Sequence, residues 1–100
     1  MNGKRQKVHM EFLIEPGRVY AVDERQQVIA EATYDFVGDG VVDVCHTYVS
    51  PELRGQGIAG QLMQAVTDTI RKNGLKAVAS CSYAEAWFTR NRAACADILA

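Results

Sequence analysis

A glycine-rich segment at residues 54–60 separates two parts of the chain that differ in hydrophobic periodicity. Before this segment, Val41–Val49 is rich in β-branched residues, which favour a strand. After it, apolar residues recur at helical spacing from Ile58 onward, which is the pattern of an amphipathic surface helix. The sequence therefore predicts a strand, a tight loop and a helix in succession, and the fold must accommodate that unit.

Three glycines, Gly55, Gly57 and Gly60, suit this loop to anion binding. Glycine adopts positive φ angles and lets a ligand approach the backbone closely. The first turn of the following helix carries unpaired N–H groups and the positive end of the macrodipole. The loop therefore predicts a phosphate site that requires no basic side chain. A strand-to-helix turn without any ligand is the structural alternative.

The loop does not match two familiar nucleotide-binding motifs. No Gly-Lys-Ser/Thr follows it, so the lysine and hydroxyl of a nucleotide P-loop are missing. The glycines have the spacing of the dinucleotide fingerprint, but no acidic residue ends a second strand about 20 residues further on. Asp68 lies within the predicted helix instead.

Four segments before the loop are predicted to form an antiparallel meander, because they are rich in Val, Ile, Tyr and Phe and short turns separate them. These segments are Phe12–Ile14, Arg18–Asp23, Gln27–Phe36 and Val41–Val49.

After the loop, the helix from Ile58 is expected to end near Gly74, which can form a left-handed cap. A strand at Leu75–Ser80 and short helices at Ala84–Asn91 and Ala94–Leu99 follow. This order predicts an α+β fold with a mixed, mostly antiparallel sheet. The strand from Leu75 should run parallel to Val41–Val49 across a right-handed helical crossover.

Composition limits the size of the protein and its partners. A chain of 100 residues supports one core, so residues 10–100 are predicted to form a single domain after a flexible N-terminus at residues 1–9. Hydrophobic residues make up 48% and charged residues 23%, as in ordinary globular proteins. A net charge of −1 gives no reason to expect binding to nucleic acid or to an anionic membrane.

No apolar run resembles a signal peptide or reaches the ~20 residues of a membrane span, so a cytoplasmic location is expected. The three cysteines agree with a reducing compartment. They form no C-x-x-C pair and show no zinc-ligand spacing with histidine, so no metal is expected.

Residues Arg54 to Ala59 match the pattern R-x-x-G-x-A between a strand and an amphipathic helix. A His46-Thr47 strand precedes the loop, and a Cys81-x-Tyr83 segment follows the helix. In these features the chain resembles the small, single-domain branch of the GNAT superfamily of N-acetyltransferases, over most of its length.

The resemblance implies transfer of an acetyl group from acetyl-CoA to an amine of unknown identity, on a small molecule or a protein. In this superfamily the sheet splays between two parallel strands, and the pantetheine arm of the coenzyme lies in the gap. The residues that the resemblance assigns to the coenzyme are Val49, Arg54, Gly55, Gln56, Gly57, Ile58, Ala59 and Gly60. No metal takes part, and direct attack of the amine on the thioester is the expected mechanism.

Two residues on the strand before the loop are candidate general bases. His46 has an ordinary pKa near ~6.5, which suits neutral pH, and Asp43 is a candidate base acting through a water. Strand alternation predicts His46 on the same face as Val44 and Asp43 on the opposite face, so only a bulge would bring both to one pocket. His46 has a structural alternative, in which its ring pins neighbouring backbone.

Two further candidates lie after the next strand. The resemblance places Cys81 where family members carry a cysteine considered as an active-site thiol, which could accept the acetyl group. Tyr83 is a candidate acid for the leaving thiolate. As alternatives, Cys81 is a small buried hydrophobe and Tyr83 a boundary aromatic. A buried apolar cysteine has a raised pKa and stays inert, which favours direct attack. Alternatively, the end of the Leu75–Ser80 strand places Cys81 at the N-terminus of the next short helix, where the dipole would lower the pKa of the thiol.

The chain departs from the family pattern at two places, which leaves other functions open. Ser82 stands where proline is common, and residues 91–95 replace a His-Pro-Glu-Tyr-like segment. A non-catalytic coenzyme A-binding or regulatory module would share the loop but not the turnover. A small interaction domain would bind no coenzyme.

Overall fold

The computed structural model describes residues 10–100, which form a five-stranded sheet packed against helices. The predicted flexible terminus, residues 1–9, lies outside the described residues. The strands are β1 (Leu13–Glu15), β2 (Arg18–Val22), β3 (Val28–Gly38), β4 (Val41–Val49) and β5 (Lys76–Ala79). The helices are α1 (Ile58–Lys72), α2 (Ser82–Arg90) and α3 (Arg92–Cys95), and a 3-10 turn occupies Pro51–Leu53.

The strands lie in the sheet in the order in which they occur in the chain. Successive strands from β1 to β4 pair antiparallel through short turns, whereas β5 pairs parallel to β4. The α1 helix makes the crossover that this parallel pair requires. The predicted α+β fold with a mixed, mostly antiparallel sheet is confirmed.

One face of the sheet forms the main core. Alternate residues of the strands, such as Val19, Ala32 and Val44, are fully buried there, which reflects the two-residue period of a half-buried strand. The apolar stripe of α1 covers this face, and Leu62 and Ile70 are completely inaccessible. Burial of each such side chain contributes about 1.5–3 kcal/mol, so this stripe holds α1 in place beside the end of β4.

The C-terminal segment corrects one prediction. A helix was expected at Ala94–Leu99, but α3 ends at Cys95, and Leu99 forms a parallel bridge with Ala77 of β5. The N–H of Ala77 donates to the carbonyl of Ile98 at 2.6 Å. The prediction was wrong because β5 is the outermost strand and its free backbone groups bind the tail, which a helix cannot do.

A pair of charged side chains fixes the tail in this position. Arg71 of α1 donates to both carboxylate oxygens of Asp97, from Nε at 2.6 Å and from an Nη at 3.0 Å. Ile98, next to Asp97, is then 98% buried in the core, since only 2% of its surface is exposed. The tail therefore closes the outer edge of β5.

No helix within residues 10–100 has both the length and the apolar character needed to cross a membrane.

The buried position of Ile98 generates a stability prediction. Truncation to alanine in Ile98→Ala should lower the free energy of unfolding by about 2–5 kcal/mol, because it removes buried methyl groups and leaves a cavity. Ile14→Ala is the matched control, since Ile14 is 59% exposed and its loss should change stability by less than about 0.5 kcal/mol. Urea unfolding followed by circular dichroism measures both; similar values for the two variants would contradict the docked tail.

Candidate active site

The parallel strands β4 and β5 part at Val44. The carbonyl of Val44 accepts hydrogen bonds from the N–H groups of Ser80 at 3.2 Å and Cys81 at 3.1 Å, just beyond the last register pair, Val44 with Ala79. The β5 strand ends there, while β4 continues to Val49. The far half of β4 therefore has a strand on one side, β3, and a gap on the other.

The backbone of this half of β4 offers hydrogen-bonding groups to the gap. The N–H of Ser50 donates to the carbonyl of Ile29, so the backbone N–H of Ser50 points toward β3. Because the direction alternates along an antiparallel strand, the N–H and C=O groups of Val49 and Thr47 point away from β3. They are placed to pair with an extended ligand that occupies the gap as an additional strand.

A cleft of about 460 Å³ occupies the gap and continues along the glycine loop to the start of α1. Its walls combine the end of β4, the loop and α2. The residues that line it are Thr47, Tyr48, Val49, Leu53, Arg54, Gly55, Gly57, Ile58, Ala59, Gly60, Leu62 and Tyr83.

The loop has the geometry of an anion site. Gly55 and Gly57 have φ angles of 83° and 77°, in the left-handed region that glycine adopts without strain. Gly57 is the N-cap residue of α1, whose first turn carries no acidic side chain. The N–H groups of Ile58 and Ala59 have no acceptor within the helix, so the positive end of the helix dipole faces the cleft.

Most of the predicted coenzyme residues line this cleft, and one turns away. Val49, Arg54 and the loop from Gly57 to Gly60 are in its wall. The side chain of Gln56 instead donates to the carbonyl of Glu52 at 3.3 Å and is not part of the lining. Gly60 faces α2, and a Cβ there would make an ordinary contact of 4.0 Å with Nε1 of Trp87.

A bulge in β4 corrects the predicted orientation of His46. Thr33 is opposite His46 while Tyr34 is opposite Val44, so Cys45 has no partner in β3. This extra residue interrupts the two-residue alternation. His46 therefore lies on the face opposite to Val44, and its side chain is 51% exposed. The prediction was wrong because alternation was extended through a residue that has no partner.

Both candidate bases consequently lie on the sheet face away from α1, and neither lines the cleft. Asp43 accepts hydrogen bonds at both carboxylate oxygens, from the N–H of Ser80 at 2.7 Å and from its hydroxyl at 2.8 Å. These bonds tie β5 to β4 and leave Asp43 less available as a base.

His46 has a partner that the sequence did not reveal. Nε2 of His46 lies 3.5 Å from a carboxylate oxygen of Glu31, whose other oxygen accepts from Nε of Arg18 at 2.6 Å. The guanidinium of Arg18 in turn lies 3.7 Å above the ring of Tyr20. Glu31 therefore forms an ion pair with the imidazole when His46 is protonated.

Cys81 lies at the inner end of the gap as the N-cap residue of α2. Its sulfur is 3.4 Å from the hydroxyl oxygen of Thr47. Burial of the sulfur acts to raise the pKa of Cys81. Hydrogen bonding from the Thr47 hydroxyl, and from the N–H groups of Ala84, Tyr83 and Thr47, outweighs burial, so the pKa of the thiol is lowered. The sulfur of Cys81 forms no capping hydrogen bond with the first turn of α2. The N–H groups of that turn therefore stabilise the thiolate mainly through the electrostatic field of their dipoles.

The lowered pKa of Cys81 disagrees with an inert thiol and agrees with the alternative, in which the start of the following helix lowers it. An inert thiol describes Cys95 instead, which is buried in the core and whose pKa burial raises. The contribution of the Thr47 hydroxyl at Cys81 could not be found from the sequence, because it comes from another strand.

Tyr83 and Thr47 complete the part of the cleft beside Cys81. Tyr83 is the only predicted catalytic residue in the lining of this cleft. Thr47 was named in the sequence only as part of a motif. The bulge at Cys45 turns it toward α1 and Cys81, so no reading of strand alternation could have found it.

Within residues 10–100, no group of histidine, cysteine and acidic side chains is arranged to hold a metal ion.

Comparisons with known proteins agree with this geometry. Residues 18–98 match the sequence model of the GCN5-related N-acetyltransferase family. The solution structure of a GCN5-like candidate N-acetyltransferase from Staphylococcus aureus is 34% identical and superposes with a TM-score of 0.72, covering 91% of this chain and 88% of that chain. The chain therefore belongs to the GCN5-related N-acetyltransferase family.

Two further relatives show how far the similarity extends. The crystal structure of YhbS from Escherichia coli, a GNAT family N-acetyltransferase in complex with CoA, is 25% identical with a TM-score of 0.56, covering 62% of this chain and 38% of that chain. Protein NATD1 from Gallus gallus is 38% identical over 58 residues, which are 58% of this chain and 53% of the relative. The match thus spans about half the length of this curated relative.

The environment of Cys81 predicts its reactivity. A lowered thiol pKa means that the reactive thiolate is present at a lower pH than for an ordinary cysteine, so alkylation of Cys81 should reach half its maximal rate at a lower pH than alkylation of a free cysteine. Thr47→Val removes the hydroxyl, so it should shift this midpoint upward and slow alkylation at pH 7 roughly twofold to tenfold.

Iodoacetamide labelling with peptide mass spectrometry over a pH series measures this midpoint. Thr33→Val is the matched control, because the hydroxyl of Thr33 contacts Cys45 and not Cys81. A midpoint for Cys81 above that of a free cysteine, or an equal shift in both variants, would contradict the assignment.

Proposed function

We propose that residues 10–100 form a single acetyltransferase domain, which transfers the acetyl group of acetyl-CoA to an amine. The observation that carries this proposal is that the gap-facing backbone of β4 and the positive end of α1 line one continuous cleft. A ligand that carries a pyrophosphate, then an amide-rich arm, then a thioester matches these features in order. Family membership supports the same donor.

The loop is proposed to hold the pyrophosphate. The N–H groups at the start of α1 supply most of the contact, as in other anion sites at helix N-termini. Arg54 adds a charge-assisted hydrogen bond from the rim of the cleft. The amides of the pantetheine arm pair with the gap-facing groups of Thr47 and Val49, which leads the thioester toward Cys81.

We propose that the amine attacks the thioester directly. Its nitrogen forms a bond to the carbonyl carbon, the resulting oxyanion is stabilised by a gap-facing N–H of β4, and the C–S bond then breaks. Tyr83, in the wall of the cleft, can donate its phenolic proton to the leaving coenzyme A thiolate. The nitrogen loses its proton to water, since neither His46 nor Asp43 lines the cleft.

An acyl-enzyme on Cys81 is the second mechanism. Its support is the lowered pKa of Cys81 and the position of this thiol beside Thr47 in the gap. In that route the thiolate attacks the thioester, coenzyme A leaves, and the amine then takes the acetyl group from sulfur. The lowered pKa removes the argument that Cys81 is inert. Direct attack is then supported by the family resemblance. A kinetic experiment is needed to distinguish the two mechanisms.

A non-catalytic coenzyme A-binding or regulatory module is the second function. One observation favours it: among residues 10–100, none that lines the cleft carries a carboxylate or an imidazole. His46 lies on the other face of the sheet, and the oxygens of Asp43 are occupied by Ser80. A bound donor without a base in reach would give binding without turnover.

The loop geometry predicts the effect of a bulky residue at Gly57. Gly57→Val should abolish coenzyme A binding, because the side chain strains a position with a φ angle of 77° and fills the space that the pyrophosphate needs. The strain itself should cost about 1–3 kcal/mol of stability.

Gly40→Val is the control for that strain. Gly40 has a φ angle of 71° and open surroundings like Gly57, but it lies in the β3–β4 turn. It should lose a similar stability and keep full affinity in calorimetry with coenzyme A. Unchanged affinity in Gly57→Val would remove the loop from the proposal.

Replacement of Cys81 separates the two mechanisms. If the amine attacks directly, Cys81→Ala should reduce kcat/KM by about tenfold or less, and the kinetics should show a ternary complex. If the acetyl group passes through sulfur, turnover should be lost, and intact-protein mass spectrometry should detect an acetylated Cys81 before any amine is added. Cys95→Ala is the control for the loss of a thiol outside the cleft.

Incubation with acetyl-CoA and a mixed pool of amines tests for catalysis itself. An acetylated product, detected by mass spectrometry, supports the transferase. Binding of acetyl-CoA without any product from a broad pool supports the non-catalytic module, and absence of binding contradicts both functions.

A further inference from the structure

Arg54 makes a contact that the binding scheme does not require. Its Nε donates to the carbonyl oxygen of Val49 at 3.3 Å. This carbonyl faces the gap, because the next residue, Ser50, directs its N–H to Ile29 on β3. The side chain of Arg54 therefore occupies, in the free protein, an acceptor at the place where an extended ligand would pair with β4.

The same side chain is also the rim cation of the anion site. Arg54 lines the cleft beside Gly55 and Gly57, next to the positive end of α1. When a pyrophosphate is bound there, its charge attracts the guanidinium more strongly than a neutral carbonyl does. Movement of Arg54 to the phosphate would release the carbonyl of Val49 for the ligand.

We propose that Arg54 is a latch that makes the site selective for donors carrying a pyrophosphate. The inference rests on the proposed function, since it assumes that the pantetheine arm pairs with β4. Coenzyme A thioesters open the latch with their own pyrophosphate. Thioesters of pantetheine alone lack that group, so they must compete with Arg54 for Val49.

This competition sets the size and sign of the effect. A ligand that cannot displace Arg54 binds only to the fraction of molecules in which Arg54 has left Val49. Its apparent Kd is the intrinsic Kd divided by this open fraction. A single exposed hydrogen bond of this kind corresponds to a closed-to-open ratio of roughly two to ten. Removal of Arg54 should therefore have opposite effects on two ligands that share the same pantetheine arm.

The test is an NMR titration of the full chain and of Arg54→Ala with coenzyme A and with pantetheine. Arg54→Ala should weaken coenzyme A binding roughly tenfold, because a charge-assisted bond to the pyrophosphate is lost. It should tighten pantetheine binding roughly twofold to tenfold, because the competitor is gone. The Ser50 amide, which shares a peptide group with the Val49 carbonyl, should report the release in free Arg54→Ala.

Arg25→Ala is the matched control for the loss of one positive charge. Arg25 lies in the exposed β2–β3 turn and outside the cleft lining, so both affinities should stay unchanged. Thermal unfolding of each variant verifies that the fold is retained.

Saturating inorganic pyrophosphate provides a second readout on the same chain. It should tighten pantetheine binding to the unaltered protein and have no such effect on Arg54→Ala, because the pyrophosphate acts by drawing Arg54 away from Val49.

The possible outcomes distinguish failure of the latch from failure of the proposed coenzyme binding. The latch is contradicted if Arg54→Ala binds both ligands more weakly. It is also contradicted if pantetheine binding changes neither with the substitution nor with pyrophosphate. In both cases the proposed coenzyme site is unaffected. Failure of the unaltered protein to bind coenzyme A overturns the proposed function and the latch together.

Discussion

The structure depends on the place where the parallel pairing of β4 and β5 stops. The carbonyl of Val44 accepts two N–H groups, from Ser80 and Cys81, and thereby ends the ladder and turns the chain into α2. Beyond this point β4 continues as far as Val49 with β3 on one side and, among the described residues, no strand on the side of β5. Unpaired backbone groups are costly when buried, so they must meet solvent or a ligand. The gap is therefore a binding surface that follows from the hydrogen-bond pattern, and it brings together the glycine loop, Thr47 and Cys81.

The proposed coenzyme site uses mainly backbone groups. The N–H groups of α1 and the free edge of β4 supply directional contacts without large side chains, which allows a small fold to present a cleft of about 460 Å³. Fewer side chains that could act in catalysis lie near the cleft. Tyr83 and Cys81 lie at the inner end, and His46 is held by Glu31 on the other face of the sheet. The division explains why the donor is easier to infer than the acceptor or the base.

Sequence patterns predicted the parts of the fold that local periodicity controls. The change from a two-residue period to a helical one located β4 and α1 with nearly the observed bounds. The errors arose where a distant partner decides the conformation. The tail at Leu99 extends because Ala77 on the sheet edge binds it, although the residues from Ala94 suit a helix. The bulge at Cys45 reverses the orientation of His46, and a single unpaired residue leaves no mark in a hydrophobic pattern.

The sequence by itself determined the order of the elements, the glycine loop and the family resemblance, because these depend on residues that are close together along the chain. Only the tertiary structure decided the orientation of His46, the pairing of Arg54 with Val49 and the lowered pKa of Cys81. The orientation of His46 depends on the bulge of β4 against β3, and the pKa of Cys81 depends on the Thr47 hydroxyl of β4. Arg54 and Val49 are close along the chain, but their contact depends on the path that the loop takes between β4 and α1. Hydrogen bonds and pKa values respond to distances of a few ångströms in space, which spacing along the chain does not encode.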